Sequence, residues 1–194
     1  MKVAIIKYNA GNIYSVEVAL KRLMIETIVT DDPHEIKVAD KVIFPGVGEA
    51  SSAMEYLREK KLDQLIVSLK QPVLGICLGM QLMCKYSEEN ETVGLGIFSN
   101  RVSKFNSVNV KTIQIGWNSI ENLQTDLFKN IPEESYCYFV HGYYASLGET
   151  TIARSGYGQG FSSALNKNNF YGVQFHPEKS SNIGQQILKN FLNL

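Results

Sequence analysis

Apolar residues fall in short runs along the first half of the chain, and their spacing alternates between two periods. The run Val3–Tyr8 predicts a buried strand, with turn chemistry behind it in Asn9-Ala10-Gly11-Asn12. Val16, Leu20, Leu23 and Met24 then recur at helical spacing, which predicts a helix over Ile13–Met24. The same alternation repeats. Thr27–Thr30 reads as a strand, Asp31-Asp32-Pro33 as a turn, and Lys41–Phe44 as a strand opening into Pro45-Gly46-Val47-Gly48. Helices follow over Ala50–Glu59 and Leu62–Leu69, then a strand over Pro72–Ile76 and the first turns of a helix over Leu78–Tyr86. Strands alternating with helices in this way imply a parallel sheet covered on both faces.

From about residue 95 the pattern changes to short strand candidates joined by Asn, Gly and Ser: Val102–Phe105, Thr112–Ile115, Tyr136–Val140, Thr150–Arg154 and Phe170–Phe175. These are expected to extend the sheet with antiparallel strands before a closing helix, Ile183–Leu192. With no repeat or linker, the fold class is α/β. It has a mostly parallel central sheet, helices on both faces and antiparallel strands in the second half, as a single domain over residues 1–194.

Composition narrows the function classes. Nineteen basic residues balance nineteen acidic ones, so no net field draws nucleic acid or an anionic membrane. The apolar run before Lys7 is only four residues, Val3–Ile6, too few for a signal peptide or a spanning helix. Three cysteines (Cys77, Cys84 and Cys137) show no metal-site spacing and suggest free thiols in a reducing compartment, the cytoplasm.

The candidate chemistry centres on Gly75-Ile76-Cys77-Leu78-Gly79, where a predicted strand meets a predicted helix. A turn this sharp strains its central residue and needs small neighbours two positions away on each side, which is the logic of the nucleophile elbow. Cys77 at such a turn sits at the positive end of a helix dipole, where a thiolate is favoured. A buried free cysteine beside helix-packing glycines is the competing reading.

A nucleophile needs a base. His34 lies in a polar stretch and reads as a solvated residue; His141 follows a strand and stays open as a candidate. His176 has the better surroundings, in Gly172-Val173-Gln174-Phe175-His176-Pro177-Glu178. Pro177 biases His176 toward an extended conformation, and in an extended segment Glu178 points to the same side as His176. Glu178 is then placed to fix the imidazole tautomer as the acid of a triad does, although a strand-end histidine beside a surface glutamate would look the same. Pro45-Gly46-Val47-Gly48 also falls at the carboxyl edge of the sheet, where its backbone N–H groups can meet developing negative charge. It lacks the Gly-Lys-Ser/Thr of a phosphate loop.

On these residues the chain resembles the class I (triad) glutamine amidotransferases. Gly75-Ile76-Cys77-Leu78-Gly79-Met80-Gln81 and His176-Pro177-Glu178 are shared with the wider class. Tyr8-Asn9-Ala10-Gly11-Asn12, Pro45–Gly48, Gly116-Trp117-Asn118 and Tyr138-Phe139-Val140-His141 resemble the branch that supplies glutaminase subunits to imidazole glycerol phosphate synthase, in histidine biosynthesis.

The resemblance implies that Cys77 attacks the side-chain amide of L-glutamine, His176 is base then acid, and Glu178 orients it. It implies an oxyanion hole from backbone N–H groups of Leu78 and of Val47 or Gly48, and glutamine contacts at Gly46, Gln81, Glu89, His141 and Tyr143. It further implies a (β/α)8 synthase partner that receives the ammonia in a heterodimer, facing Asn12, Trp117, Asn118, Tyr138 and Lys179. No cofactor and no metal are implied. Lys7 and Gly142 depart from the family pattern, where an acidic residue and a serine are expected. The rival readings are an amidotransferase serving another synthase, a cysteine hydrolase that works alone, and a binding module that keeps the fold without the chemistry.

Overall fold

The computed structural model describes residues 1–9, 11–106 and 110–194. Ala10, in the predicted first turn, lies outside the described residues. The first half runs β1 (Lys2–Ile6), α1 (Ile13–Arg22), β2 (Glu26–Thr30), α2 (Pro33–Val38), β3 (Lys41–Phe44), α3 (Ala50–Glu59), α4 (Leu62–Ser68), β4 (Val73–Ile76) and α5 (Leu78–Met83). The second half runs β5 (Cys84–Ser87), β6 (Thr92–Val93), β7 (Phe98–Lys104), β8 (Gln114–Ile120), β9 (Ser135–His141), β10 (Tyr143–Ala145), β11 (Thr151–Gly156), β12 (Gly160–Lys167), β13 (Phe170–Val173) and α6 (Ser181–Leu192).

The sheet order is β2-β1-β3-β4-β13-β12-β10-β7-β5-β6, with β11 pairing on β12, while β8 and β9 form a separate antiparallel ribbon. The five strands β2, β1, β3, β4 and β13 pair in parallel throughout. Antiparallel pairs carry the sheet onward from β13 to β12 and β10, and from β10 to β7. The expected α/β class holds, and its parallel half puts the loops after β3, β4 and β13 at one carboxyl edge.

Alternation along the strands builds two cores. Ala4, Ile6, Val42 and Phe44 pack on one face against Ala53, Met54 and Leu57 of α3 and Leu62 and Ile66 of α4. Val3, Ile5 and Ile43 pack on the other against Val16 and Leu20 of α1 and Ile187, Leu188 and Phe191 of α6. Covering a parallel sheet on both faces explains why every residue of β3 and β4 is buried and, after Lys41, none carries a polar side chain.

Three local expectations are corrected. The turn read at Asp31-Asp32-Pro33 starts helix α2, because Asp32 Oδ1 accepts from the backbone N–H of His34 (2.7 Å) and Pro33 occupies the first helical turn. The helix read to Tyr86 stops at Met83, where Cys84–Ser87 leaves to pair in parallel with β7. Strand β12 was not anticipated at all.

The elbow glycines are fixed by close backbone approach. A Cβ at Gly79 would overlap the Phe44 carbonyl oxygen, and one at Gly75 would lie 2.8 Å from the Met80 amide nitrogen. Neither backbone can yield without moving α5. Gly79→Ala is therefore expected to lower unfolding stability in urea by about 2 kcal/mol or more. Gly156→Ala, where a Cβ meets nothing within 4 Å, is expected to change it by less than about 0.5 kcal/mol. Equal effects from the two would show that approach at Gly79 is not limiting.

Candidate active site

Strand β4 ends at Ile76 and α5 begins at Leu78, so Cys77 alone makes the turn, at φ 52° and ψ −108°. A positive φ at a non-glycine residue is strained and persists only where the surroundings fix it. Cys77 N–H donates to Val173 O of β13 (2.8 Å), and Gln81 N–H donates to Cys77 O (3.1 Å). The Sγ atom is 3.8 Å from Val140 O, positioned to donate as a thiol.

Beyond β13, His176 is fully buried and extended (φ −99°, ψ 95°), with its N–H donating to Tyr138 O (2.9 Å). Its Nδ1 lies 2.7 Å from Glu178 Oε1. The pairing arises differently from the extended segment expected: Pro177–Lys179 forms a single 3-10 turn that swings Glu178 back to the imidazole. Ser180 closes this turn, donating its hydroxyl to His176 O (2.7 Å) while accepting from Tyr138 N–H (2.9 Å). Burial disfavours the imidazolium. The negative charge of a Cys77 thiolate, then the hydrogen bond and charge of Glu178, outweigh it and raise His176 to about 10. With Nδ1 on the carboxylate, Nε2 is the ring nitrogen left for acid–base work; it is buried without a hydrogen-bond partner.

A cleft of about 100 Å³ beside Cys77 is lined by Val47, Gly48, Leu78, Gln81, Glu89, Val140, His141, Gly142 and Tyr143. It brings together most of the residues singled out for glutamine. Its polar wall is hydrogen-bonded in series. Tyr143 O accepts from Gln81 Nε2 (2.9 Å) and lies 2.7 Å from His141 Nδ1. Burial, with the charge of His176, holds His141 down at about 4, so its ring is neutral with one N–H. That proton sits on Nδ1, because Tyr143 O can only accept. The Gln114 side-chain atom 3.0 Å from Nε2 is the amide oxygen, so a bare Nε2 requires that amide to be turned, presenting its NH2 to the ring. Glu89 Oε2 accepts from Ala50 N–H (2.8 Å), and partial burial raises its pKa.

Four placements differ from expectation. Leu78 N–H is not a free oxyanion donor, because it donates to Gly46 O (3.2 Å). That loop is fixed from two sides, by Tyr8 Oη donating to Pro45 O (2.5 Å) and Gly11 N–H donating to Val47 O (2.9 Å). Asn12 turns its amide inward, donating to Glu178 Oε1 and lying 3.4 Å from His176 Nδ1. Asn118 points to the opposite side of the β8–β9 ribbon from Trp117 and donates to Gly156 O (3.0 Å). Gln81 spends both amide protons on protein acceptors, Tyr143 O and Gln174 Oε1.

Trp117 is 52% exposed and stacks edge-on with Tyr138, its cross-strand partner. A larger cavity of about 460 Å³ beside Trp117 reaches Lys179 and the far side of Glu178 but not Cys77. Gln174 escaped the sequence reading. The signal was present, because with Val173 and Phe175 on one side of the strand, Gln174 and His176 share the other.

The family model described as glutamine amidotransferase class-I matches residues 4–194. The chain is 55% identical to the imidazole glycerol phosphate synthase subunit HisH of Bacteroides fragilis, with all of both chains covered. It is 51% identical to the protein of the same name from Bacteroides thetaiotaomicron, again over all of both. Among solved structures, a glutamine amidotransferase aligns at a TM-score of 0.76 and 19% identity, covering 98% of this chain and 97% of that one. Another, from Thermotoga maritima, aligns at a TM-score of 0.65 and 18% identity, covering 100% of this chain and 83% of that one. At those identities the structural likeness bears on the fold alone.

The lowered pKa of His141 links the site to stability. The unfolded imidazole takes a proton below 6.5 while the folded one resists until about 4. The contribution is thus present in full above pH 6.5 and is lost as pH falls toward 4, about 3 kcal/mol in all. The melting temperature is expected to fall across that window, and His141→Gln to show a shallower fall. An identical acid slope in the two proteins would exclude His141 as its source.

Proposed function

The chain belongs to the class-I glutamine amidotransferase family, and on that premise we propose how its site serves glutamine hydrolysis. It is the glutaminase subunit of imidazole glycerol phosphate synthase, working in histidine biosynthesis. The observation that carries the catalytic reading is the buried His176–Glu178 pair, whose imidazole responds to the charge of Cys77.

Cys77 Sγ attacks the side-chain amide carbon of L-glutamine, and His176 Nε2 holds the thiol proton. The tetrahedral oxyanion collapses, His176 gives its proton to the departing nitrogen, and ammonia leaves a glutamyl thioester on Cys77. Water, deprotonated by His176, then releases glutamate. Glu178 keeps Nδ1–H engaged throughout, so Nε2 is the working nitrogen in both halves. Asn12 steadies that carboxylate from the other side.

As a subunit the chain has a partner. We assign to that partner a (β/α)8 synthase that consumes the ammonia to form imidazole glycerol phosphate and aminoimidazole carboxamide ribotide. Trp117, Tyr138 and Lys179 supply the contact face. Trp117 is a suitable anchor because its large ring is half exposed yet held in place by Tyr138. Three free thiols suit the reducing cytoplasm.

Two outcomes test this. In the reconstituted complex, Cys77→Ala should abolish glutamine-dependent synthesis, a loss of at least about a thousandfold, while synthesis from added ammonia stays near wild type. Glutamine-dependent turnover that survives the substitution would sink the assignment of Cys77. Because Leu78 N–H is committed to Gly46 O, the isolated chain should hydrolyse glutamine slowly. The liganded partner should accelerate it by about 10²–10³, the scale of one oxyanion donor. Full activity without the partner would count against a dependent subunit.

A further inference from the structure

We propose that Gln174 holds the Cys77 sulfur as a thiolate by donating a side-chain amide N–H to Sγ, with its orientation dictated from the Tyr143 carbonyl. This rests on Cys77 being the nucleophile and adds a residue to that site.

The geometry is a chain of four groups. Gln174 is fully buried, and its Nε2 lies 3.6 Å from Cys77 Sγ. Which end of the amide faces the sulfur follows from its partners. Tyr143 O carries no proton, so the Gln81 group beside it must be the NH2. Gln81 directs its second N–H at Gln174, so the Gln174 end facing Gln81 must be the oxygen (2.9 Å). The Gln174 NH2 is then left for Cys77. The backbone is pinned as well, with Gln174 N–H donating to Ser163 O (2.9 Å).

An N–H aimed at sulfur favours S⁻ over S–H, since charge strengthens the bond. The opposing contact is Val140 O, which can accept from a thiol at 3.8 Å but gives a thiolate nothing. Gln174 and Val140 therefore pull the sulfur toward opposite protonation states.

The titratable groups facing the sulfur or sharing its cleft are His176 and, through it, Glu178 from the turn after β13, Tyr8 from beyond β1, His141 from β9, Tyr143 from β10, and Glu89. All are retained in the variants below. The role differs from holding glutamine, because Gln174 does not line the cleft.

The test is the pH dependence of iodoacetamide alkylation at Cys77 in the full-length protein, followed by mass spectrometry. Gln174→Leu removes the donor at similar size, and the midpoint should rise by about one pH unit, leaving about tenfold less thiolate at acidic pH. Gln174→Glu keeps the shape but turns a charged oxygen to the sulfur, and the midpoint should rise further. A packing role alone moves the melting temperature and leaves the midpoint where it was. An unchanged midpoint in Gln174→Leu overturns the proposal.

A second readout needs no variant at position 174. In unsubstituted protein labelled with ¹⁵N in glutamine side chains, one NH2 pair should shift with the alkylation midpoint. That shift should vanish in Cys77→Ala. If no glutamine amide follows the thiol titration, the proposal fails even should the variants not fold. Failure of the underlying reading looks different: glutamine hydrolysis would persist in Cys77→Ala.

Discussion

The site depends on one steric constraint, the backbone-to-backbone approach of helix α5 to the end of β3 and β4. Gly79 sits on the Phe44 carbonyl and Gly75 on the Met80 amide, with no room for a Cβ at either. At that separation the chain has a single residue in which to reverse from strand to helix, and Cys77 adopts a positive φ. Such a conformation costs on the order of 1–3 kcal/mol. Burial of β4 on both faces, through Val73 on one side and Leu74 and Ile76 on the other, is large enough to hold it. The thiol stands at the edge because the sheet leaves its residue no relaxed alternative.

From that fixed point, polarity rather than packing organises the site. Backbone carbonyls cannot donate, so each one sets the direction of the hydrogen bonds that reach it. Tyr143 O orients two side chains at once, choosing the proton-bearing nitrogen of His141 and the end that Gln81 presents. On the other flank, Glu178 takes Nδ1 of His176 and the amide of Asn12. A strand and a 3-10 turn thus deliver two histidines of opposite character. His141 is kept neutral by burial, and His176 is kept charged whenever the sulfur is. Sequence proximity to a strand end does not separate them; their acceptors do.

Much of the parallel half was legible because its strands are buried on both faces. Val42–Phe44 and the strand leading into the elbow carry no polar side chain, and their boundaries follow from that. Where pairing rather than composition decides, the sequence is silent. Gly160–Lys167 mixes Gly, Ser and Asn with Phe161, Ala164 and Leu165 in no strict alternation, yet Ser162 and Ser163 are fully buried because the strand is paired on both sides. Cys84–Ser87 continues a helical pattern until its parallel pairing with β7 pulls it into the sheet. The nucleophile and the His176–Glu178 segment stand out by local chemistry. Gln174 does not, because the meaning of a buried amide lies in partners that sit 97 and 93 residues away in the chain.

One group the reaction needs unpaired is occupied by a carbonyl at rest: Leu78 N–H is held by Gly46 O. A neutral N–H···O=C bond contributes about 1 kcal/mol net, whereas one to an ionised oxygen contributes up to about 3 kcal/mol. The neutral carbonyl of a bound glutamine therefore cannot outcompete Gly46 O, but an oxyanion can. Displacement is opposed by the loop's other ties, Tyr8 to Pro45 and Gly11 to Val47, so the loop must move as a unit. On the proposed role of Leu78 N–H, a contact that loosens those two ties would free the donor without touching His176 or Glu178.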